Sequence, residues 1–226
     1  MLKVSWLGQA GLLFENSAVT ILVDPYFTDS VVKVNPANWR RRPADERWFD
    51  IRPDVLICTH DHLDHTDPET LRRLLNQQTG VTVLAPLNAW ETVRQFGHGH
   101  NYVQFNRHTQ WTQNGVTFTA VKAEHSDPTA IGVLIQEGDR VYYITGDTLY
   151  NTEIFDDLPG HIDVVFLPVN GAGNNMNMAD AARFADRVGA DRTVPLHFGL
   201  FDTLDPADFV CKNRVIPVYN REIPLN

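Results

Sequence analysis

The chain has 226 residues, enough for one sizeable domain at about 150 residues per domain. Hydrophobic residues make up 43% and charged residues 21%, which excludes a disordered chain and fits a soluble globular one. The net charge of −9, from 19 basic and 28 acidic residues, argues against a phosphate-tracking groove for nucleic acid, since such grooves need clustered bases.

Short apolar runs separated by turn residues open the chain. Lys3 to Trp6, Gly11 to Phe14 and Val19 to Val23 read as strands, the last ending in Asp24-Pro25. The N-terminal stretch is broken by Gly8, Gln9, Gly11 and Glu15, unlike a signal-peptide core. No run approaches the ~18 apolar residues of a membrane span. Residues 26–50 carry neither period and are long for a connection inside a compact domain; Trp39 and Trp48 suggest a packed lid. Val55 to Cys58 is a buried strand. A helix follows, with Asp67 as N-cap, Pro68 at its first position and Leu71, Leu74 and Leu75 on one face.

Val81 to Ala85 is the next strand, and Asn88 with Glu91 resembles a capping box opening a helix to Phe96. Val116 to Ala123, Ala130 to Ile135 and Val141 to Thr145 are strands, the last two joined by a turn at Glu137-Gly138-Asp139. A strand at Val164 to Val169, a helix at Ala179 to Val188 and a strand at Thr193 to Leu196 follow. Asp205-Pro206 then starts a final helix before a strand at Val215 to Tyr219. This order suits an α/β (α+β) four-layer αββα sandwich, two sheets face to face with helices outside, as a single domain over 1–226. Two cysteines, Cys58 and Cys211, make no disulfide framework and fit a reducing, cytoplasmic setting.

The chemistry gathers at Thr59-His60-Asp61-His62-Leu63-Asp64-His65, directly after the strand at 55–58. At this chain's own His and Asp frequencies, the pattern His-x-His-x-Asp-His arises by chance about once in a thousand such sequences. His60 and His62, two apart on an extended segment, point to one side. Asp64 and His65 reach a second point past a turn. Imidazole and carboxylate donors without thiolate suit Zn²⁺, Mn²⁺ or Fe²⁺. His125, Asp147 and His197 each follow a predicted strand. Taken alone, each has a plainer reading as an edge histidine or a turn-forming aspartate.

In this order the seven residues resemble the ligand pattern of the metallo-β-lactamase superfamily of metal-dependent hydrolases. Within it the chain looks most like the branch containing the L-ascorbate-6-phosphate lactonase, through Trp6-Leu-Gly with Gly11, Val23-Asp24-Pro25, Gly146-Asp147 before Tyr150, and Met178-Ala-Asp180 leading to Pro195-Leu-His197. No cysteine stands where the β-lactamases proper use one. The resemblance implies two divalent ions, Zn or Mn with Fe possible. His60, His62 and His125 hold one, Asp64, His65 and His197 the other, and Asp147 bridges them.

It also implies a metal-bridging hydroxide as nucleophile, with Asp64 and Asp147 as the catalytic carboxylates. The expected reaction opens a small ester-like bond, with a sugar lactone, phosphorylated or not, as leading substrate. A phosphodiesterase using the same dinuclear site is the first alternative, and a non-catalytic metal-dependent sensor the second. The expected partner is a small anionic or sugar-like substrate, with neither nucleic acid nor membrane involved and a homo-oligomer conceivable.

Asp24 is placed to accept a hydrogen bond from a ligand imidazole and fix its tautomer; as a strand-ending Asp-Pro turn it needs no such role. Arg40, Arg41 and Arg42 could clamp an anionic substrate or form a solvated basic turn beside Asp45 and Glu46. In the glycine-rich stretch 170–177, Asn170 and Asn174 are candidate substrate contacts, although the glycines could serve backbone geometry alone. Gly97-His98-Gly99-His100, between a helix and a strand, reads as a helix end and loop rather than a metal site. His108 and His161 stand alone.

Overall fold

The computed structural model describes residues 1–225. Two sheets share the chain. The first, in spatial order, holds β13 (Arg221–Glu222), β1 (Lys3–Gly8), β2 (Gly11–Glu15), β3 (Thr20–Val23), β4 (Val55–Ile57), β5 (Thr82–Ala85) and β6 (Asn101–Gln104). The second holds β12 (Arg192–Leu196), β11 (Val164–Pro168), β10 (Arg140–Ile144), β9 (Ile131–Glu137), β8 (Val116–Lys122) and β7 (Gln110–Gln113).

Strand alternation builds the layers. Leu12, Phe14, Ile21 and Ile57 face Phe118, Ile135, Tyr142 and Phe166 across the sandwich, with Phe14 edge-on to Tyr142 and Phe166 at 5.5 and 5.8 Å. The intervening residues Leu13, Leu22, Leu56 and Val83 face outward. They pack against Leu71, Leu74 and Leu75 of α1 (Pro68–Asn76) and Val93 of α2 (Leu87–Val93). On the far side α3 (Met178–Val188) lays Phe184 against Tyr143 at 6.4 Å. The expected four layers are present, with few helices.

Three expectations change. α2 has Pro86 rather than a capping box at its start, because the Asn88 amide donates to Asp127 Oδ1 at 2.8 Å; it ends at Val93, followed by tighter turns to Phe96. The helix expected at Asp205-Pro206 is a three-residue 3₁₀ turn, capped by Asp205 but lacking an apolar stripe to continue it. Residues 215–219 form no strand: Pro217 lies within that run and has no N–H to offer a ladder, and the pairing with β1 is made further on, by β13. Edge strands β6 and β7, NYVQ and QWTQ, are too polar to stand out as apolar runs.

Topology positions the site. β1, β3 and β4 run one way in the first sheet. In the second, β8, β10, β11 and β12 run parallel to one another. The loops leaving these strands meet at one edge of the sandwich.

Candidate metal centre

Each strand end delivers one part. β3 leads to Asp24, β4 to the segment 59–65, β8 to His125, β10 to Asp147 and β12 to His197. Turns hold the segment after β4: His65 N–H and Thr66 N–H both donate to the His62 carbonyl, and Thr66 Oγ1 donates to the His60 carbonyl at 2.6 Å. Gly146 bends the chain into Asp147 with φ +62°; a Cβ there would lie 2.6 Å from the Ile131 carbonyl oxygen. Gln9, Asp24, Asn174 and His197 also have positive φ. Such strain in non-glycine residues collects where surrounding structure enforces it, often at functional sites.

All seven sequence-selected donors come together. His60, His62 and His125 form one group, His60, His65 and Asp147 a second, and Asp64, His65 and His197 a third, with donor atoms within 4.8 Å of one another in each. His62 Nδ1 lies 3.2 Å from His125 Nε2. His65 Nε2 and His197 Nε2 are 3.4 Å apart, and His197 Nε2 is 3.1 Å from Asp147 Oδ2. Donors around a tetrahedral ion with bonds of about 2.0–2.1 Å sit about 3.3 Å apart, so these spacings suit such an ion. His60 Nε2 is buried and without a hydrogen-bond partner, an uncompensated group unless an ion takes its lone pair.

The surroundings prepare the imidazoles as ligands. Asp24, fully buried, accepts at Oδ1 from Thr59 N–H and at Oδ2 from Thr59 Oγ1, and lies 2.8 Å from His65 Nδ1. Thr59 Oγ1, having given its proton to Asp24, faces His60 Nδ1 at 3.1 Å. The Asn174 carbonyl faces His125 Nδ1 at 3.2 Å. In each case Nδ1–H is held and the Nε2 lone pair is left for the centre. The Asn170 amide lies 2.9 Å from His197 Nδ1, and its Oδ1 is buried without a partner. Turning this amide over gives His197 the same tautomer.

Charge divides the cluster. Burial pushes the His60 imidazole well below its usual pKa, helped by His65, and lowers His125 too. Burial also opposes charge on His65 and His197, but the carboxylates win. Asp147, Asp24 and Asp64 hold His65 well up, and Asp147 with Asp64 raises His197 to about 9. Burial alone would raise Asp64 and Asp147; His65 and His197 hold both well below the usual carboxylate range.

Several working residues escape a reading of the sequence. Gln9 follows β1, is buried, and donates from Nε2 to Asp64 Oδ2 at 2.7 Å while lying 3.1–3.2 Å from the His197 ring nitrogens. Asn175 donates to Asp147 Oδ2 at 2.8 Å. Both are single amides within unremarkable turns. Strand direction is the signal that could have found Gln9, since β1 runs parallel to β3 and ends at the same edge.

Other candidates are placed differently. Arg40 donates to the Tyr26 carbonyl and the Tyr219 hydroxyl, Arg41 to the Phe201 carbonyl, and the Arg42 guanidinium lies over the Tyr219 ring. None of the three lines the pocket above the centre. They fasten the loop 26–50 to later segments, which corrects both readings offered for them, the anion clamp and the solvated basic turn. That loop is packed, with Trp48 Nε1 donating to Asn220 Oδ1.

Asn170 does line the pocket, while Asn174 acts through its carbonyl. His100 is engaged by the Leu75 carbonyl and Val81 N–H, away from the centre. His108 pairs with Asp157, and His161 lies with Asp163 and Asp191 at the surface. Among the described residues no helix is long and apolar enough to cross a membrane.

Comparison with known proteins agrees with this architecture. A family model described as the beta-lactamase superfamily domain matches residues 19–198. A UPF0173 metal-dependent hydrolase of Geobacillus thermodenitrificans is 29% identical over 223 residues, covering 92% of each chain. Among solved structures, a possible metal-dependent hydrolase from Veillonella parvula superposes with a TM-score of 0.79 at 17% identity over 99% of both chains. The metallo-beta-lactamase fold protein YhfI from Bacillus subtilis does so at 0.74, with 19% identity over 98% of both. The relatives it matches are described as metal-dependent hydrolases, and the chain itself belongs to the beta-lactamase superfamily domain family and has the metallo-beta-lactamase fold.

Proposed function

We propose that the chain opens a small ester-like bond, with a sugar lactone as leading substrate, at a centre of two divalent ions. His60, His62 and His125 would hold one ion, Asp64, His65 and His197 the other, with Asp147 between them. When bound, such ions acidify water and polarise a carbonyl oxygen. The observation that carries the reading is the set of imidazoles whose Nδ1 atoms are held from behind, leaving Nε2 atoms to converge with Asp147.

The chain's own residues do the rest. Asp64, fixed by Gln9 and kept ionised, would orient the attacking water by accepting its hydrogen bond. Asp147 is fixed by Asn175 and stays ionised, so its position and charge are set before substrate arrives. The pocket above Asp64 and Asp147 holds about 270 Å³, room for a small substrate. The likeness to the ascorbate-phosphate lactonase branch supports a lactone over an open-chain ester, because the quoted motifs run through the strand ends that build the site. The test is a substrate panel on metal-loaded protein: a lactone and a phosphate diester. Turnover of the lactone alone is expected; turnover of the diester alone would replace this reading by phosphodiesterase, and turnover of neither would leave a binding protein.

A further inference from the structure

We infer that the pocket selects an uncharged, hydroxyl-bearing ring, a neutral sugar lactone rather than its phosphorylated form, and that Asp202 sets this choice; the inference rests on the hydrolytic reading of the same site. The pocket holds about 270 Å³, just short of the ~300 Å³ at which sites for drug-sized ligands begin. Among the described residues no Lys or Arg lines it. A phosphate group remote from the reacting bond needs a guanidinium, an ammonium or free amides at a helix start. The nearby arginines, Arg40 and Arg41, are committed to carbonyls and a tyrosine hydroxyl. The helix that follows the pocket loop, α3, is capped by the Asn177 side chain and already carries Asp180 in its first turn. Beyond the proposed ions, no cationic group among the described residues is left to receive a phosphate remote from the reacting bond.

What does line the pocket suits hydroxyls. Asp202 Oδ1 accepts from Gly199 N–H at 2.8 Å and Leu204 N–H at 3.0 Å, which orients the carboxylate and leaves Oδ2 without a protein partner among the described residues. Asn38 adds an amide whose side chain is likewise unengaged, and Asn170 carries a buried polar atom with no partner. Phe201 and Val31 give the apolar surface against which the C–H face of a ring can lie. A carboxylate accepts hydrogen bonds from ring hydroxyls and repels a phosphate, so one residue both attracts the neutral substrate and rejects the charged one.

Asp202→Asn separates these roles from folding, because the amide oxygen can keep both backbone hydrogen bonds. The experiment compares a neutral aldonolactone with its terminally phosphorylated counterpart on metal-loaded wild-type and D202N protein. Calorimetry with the matching neutral and phosphorylated lactams reads binding independently of turnover. Wild-type protein is expected to favour the neutral member of each pair, and D202N to lose about tenfold of that preference, chiefly in KM and in lactam affinity. Preference for the phosphorylated member, binding of neither lactam, or an unchanged preference in D202N would overturn the inference. Selective lactam binding without turnover of either lactone would instead overturn the hydrolytic reading and leave the pocket's selectivity standing.

Discussion

The two halves of the centre are made of different chemistry. Around His60, His62 and His125 the donors are all imidazoles, and burial holds His60 and His125 neutral. Around Asp64, His65 and His197 a carboxylate stands among the imidazoles, 3.8 Å from His65 and 3.3 Å from His197. Removing Asp64 takes a negative charge from beside the proposed ion, whereas removing a histidine of the first half takes a neutral donor. Asp147 belongs to both halves, and the steepest response is expected there.

Asp147→Ala should lower hydrolysis on the order of a thousandfold or more, beyond the ~10–100-fold seen when groups behind metal ligands are changed. Steady-state kinetics with metal in excess measures it, and retention of a tenth of the activity would remove Asp147 from the site. Asp24→Asn comes next. The amide has one acceptor oxygen where the carboxylate uses two, so it cannot serve Thr59 N–H at one position together with Thr59 Oγ1 and His65 Nδ1 at the other, and metal affinity should fall about 10–100-fold. Competition with a chelator reads this directly; unchanged affinity would mean that Asp24 serves only the strand end.

Gln9→Ala frees one Asp64 oxygen without removing an ion ligand, so about a tenfold loss is expected, confined to the ion held by the Asp64 half. Equal weakening of both ions would erase the distinction between the halves. The smallest effect should be Arg40→Ala. Losing its bonds to Tyr26 and Tyr219 and its stacking on the Tyr26 ring should cost about 1–2 kcal/mol of stability with kcat unchanged. Denaturant unfolding beside kinetics separates the two readouts. A large rise in KM with normal stability would restore Arg40 as a substrate clamp.

These contrasts also show what the sequence discloses. All seven donors were legible because His and Asp are uncommon enough for their spacing to be informative, and because each follows an apolar run that betrays its strand. Asp24 was legible for the same reason, as the polar end of the third run. Gln9, Thr59 and Asn175 were not, since a lone amide or hydroxyl in a turn matches any polar loop until topology carries its strand to the shared edge. Asn174 acts through its backbone carbonyl, which no residue identity encodes. The arginine run 40–42 stayed undecided between clamp and solvated turn, because composition cannot tell a guanidinium facing a pocket or solvent from one satisfied by carbonyls across the fold.

Apolar periodicity likewise marked most strands and two helices well. It failed where the edge strands β6 and β7 are polar, and at the C-terminal end, where Pro217 and an isolated capping aspartate gave contrary local signals.

The central claim is that this chain holds two divalent ions in unlike halves and hydrolyses through them. Metal content per chain, measured on purified protein and on His125→Ala and His197→Ala variants alongside hydrolysis, tests it most directly. Two ions in the native protein and one in each variant, with hydrolysis lost on chelation and restored on reloading, are the predicted results. A native protein that stays active with one ion or none, or variants that keep both, would contradict it.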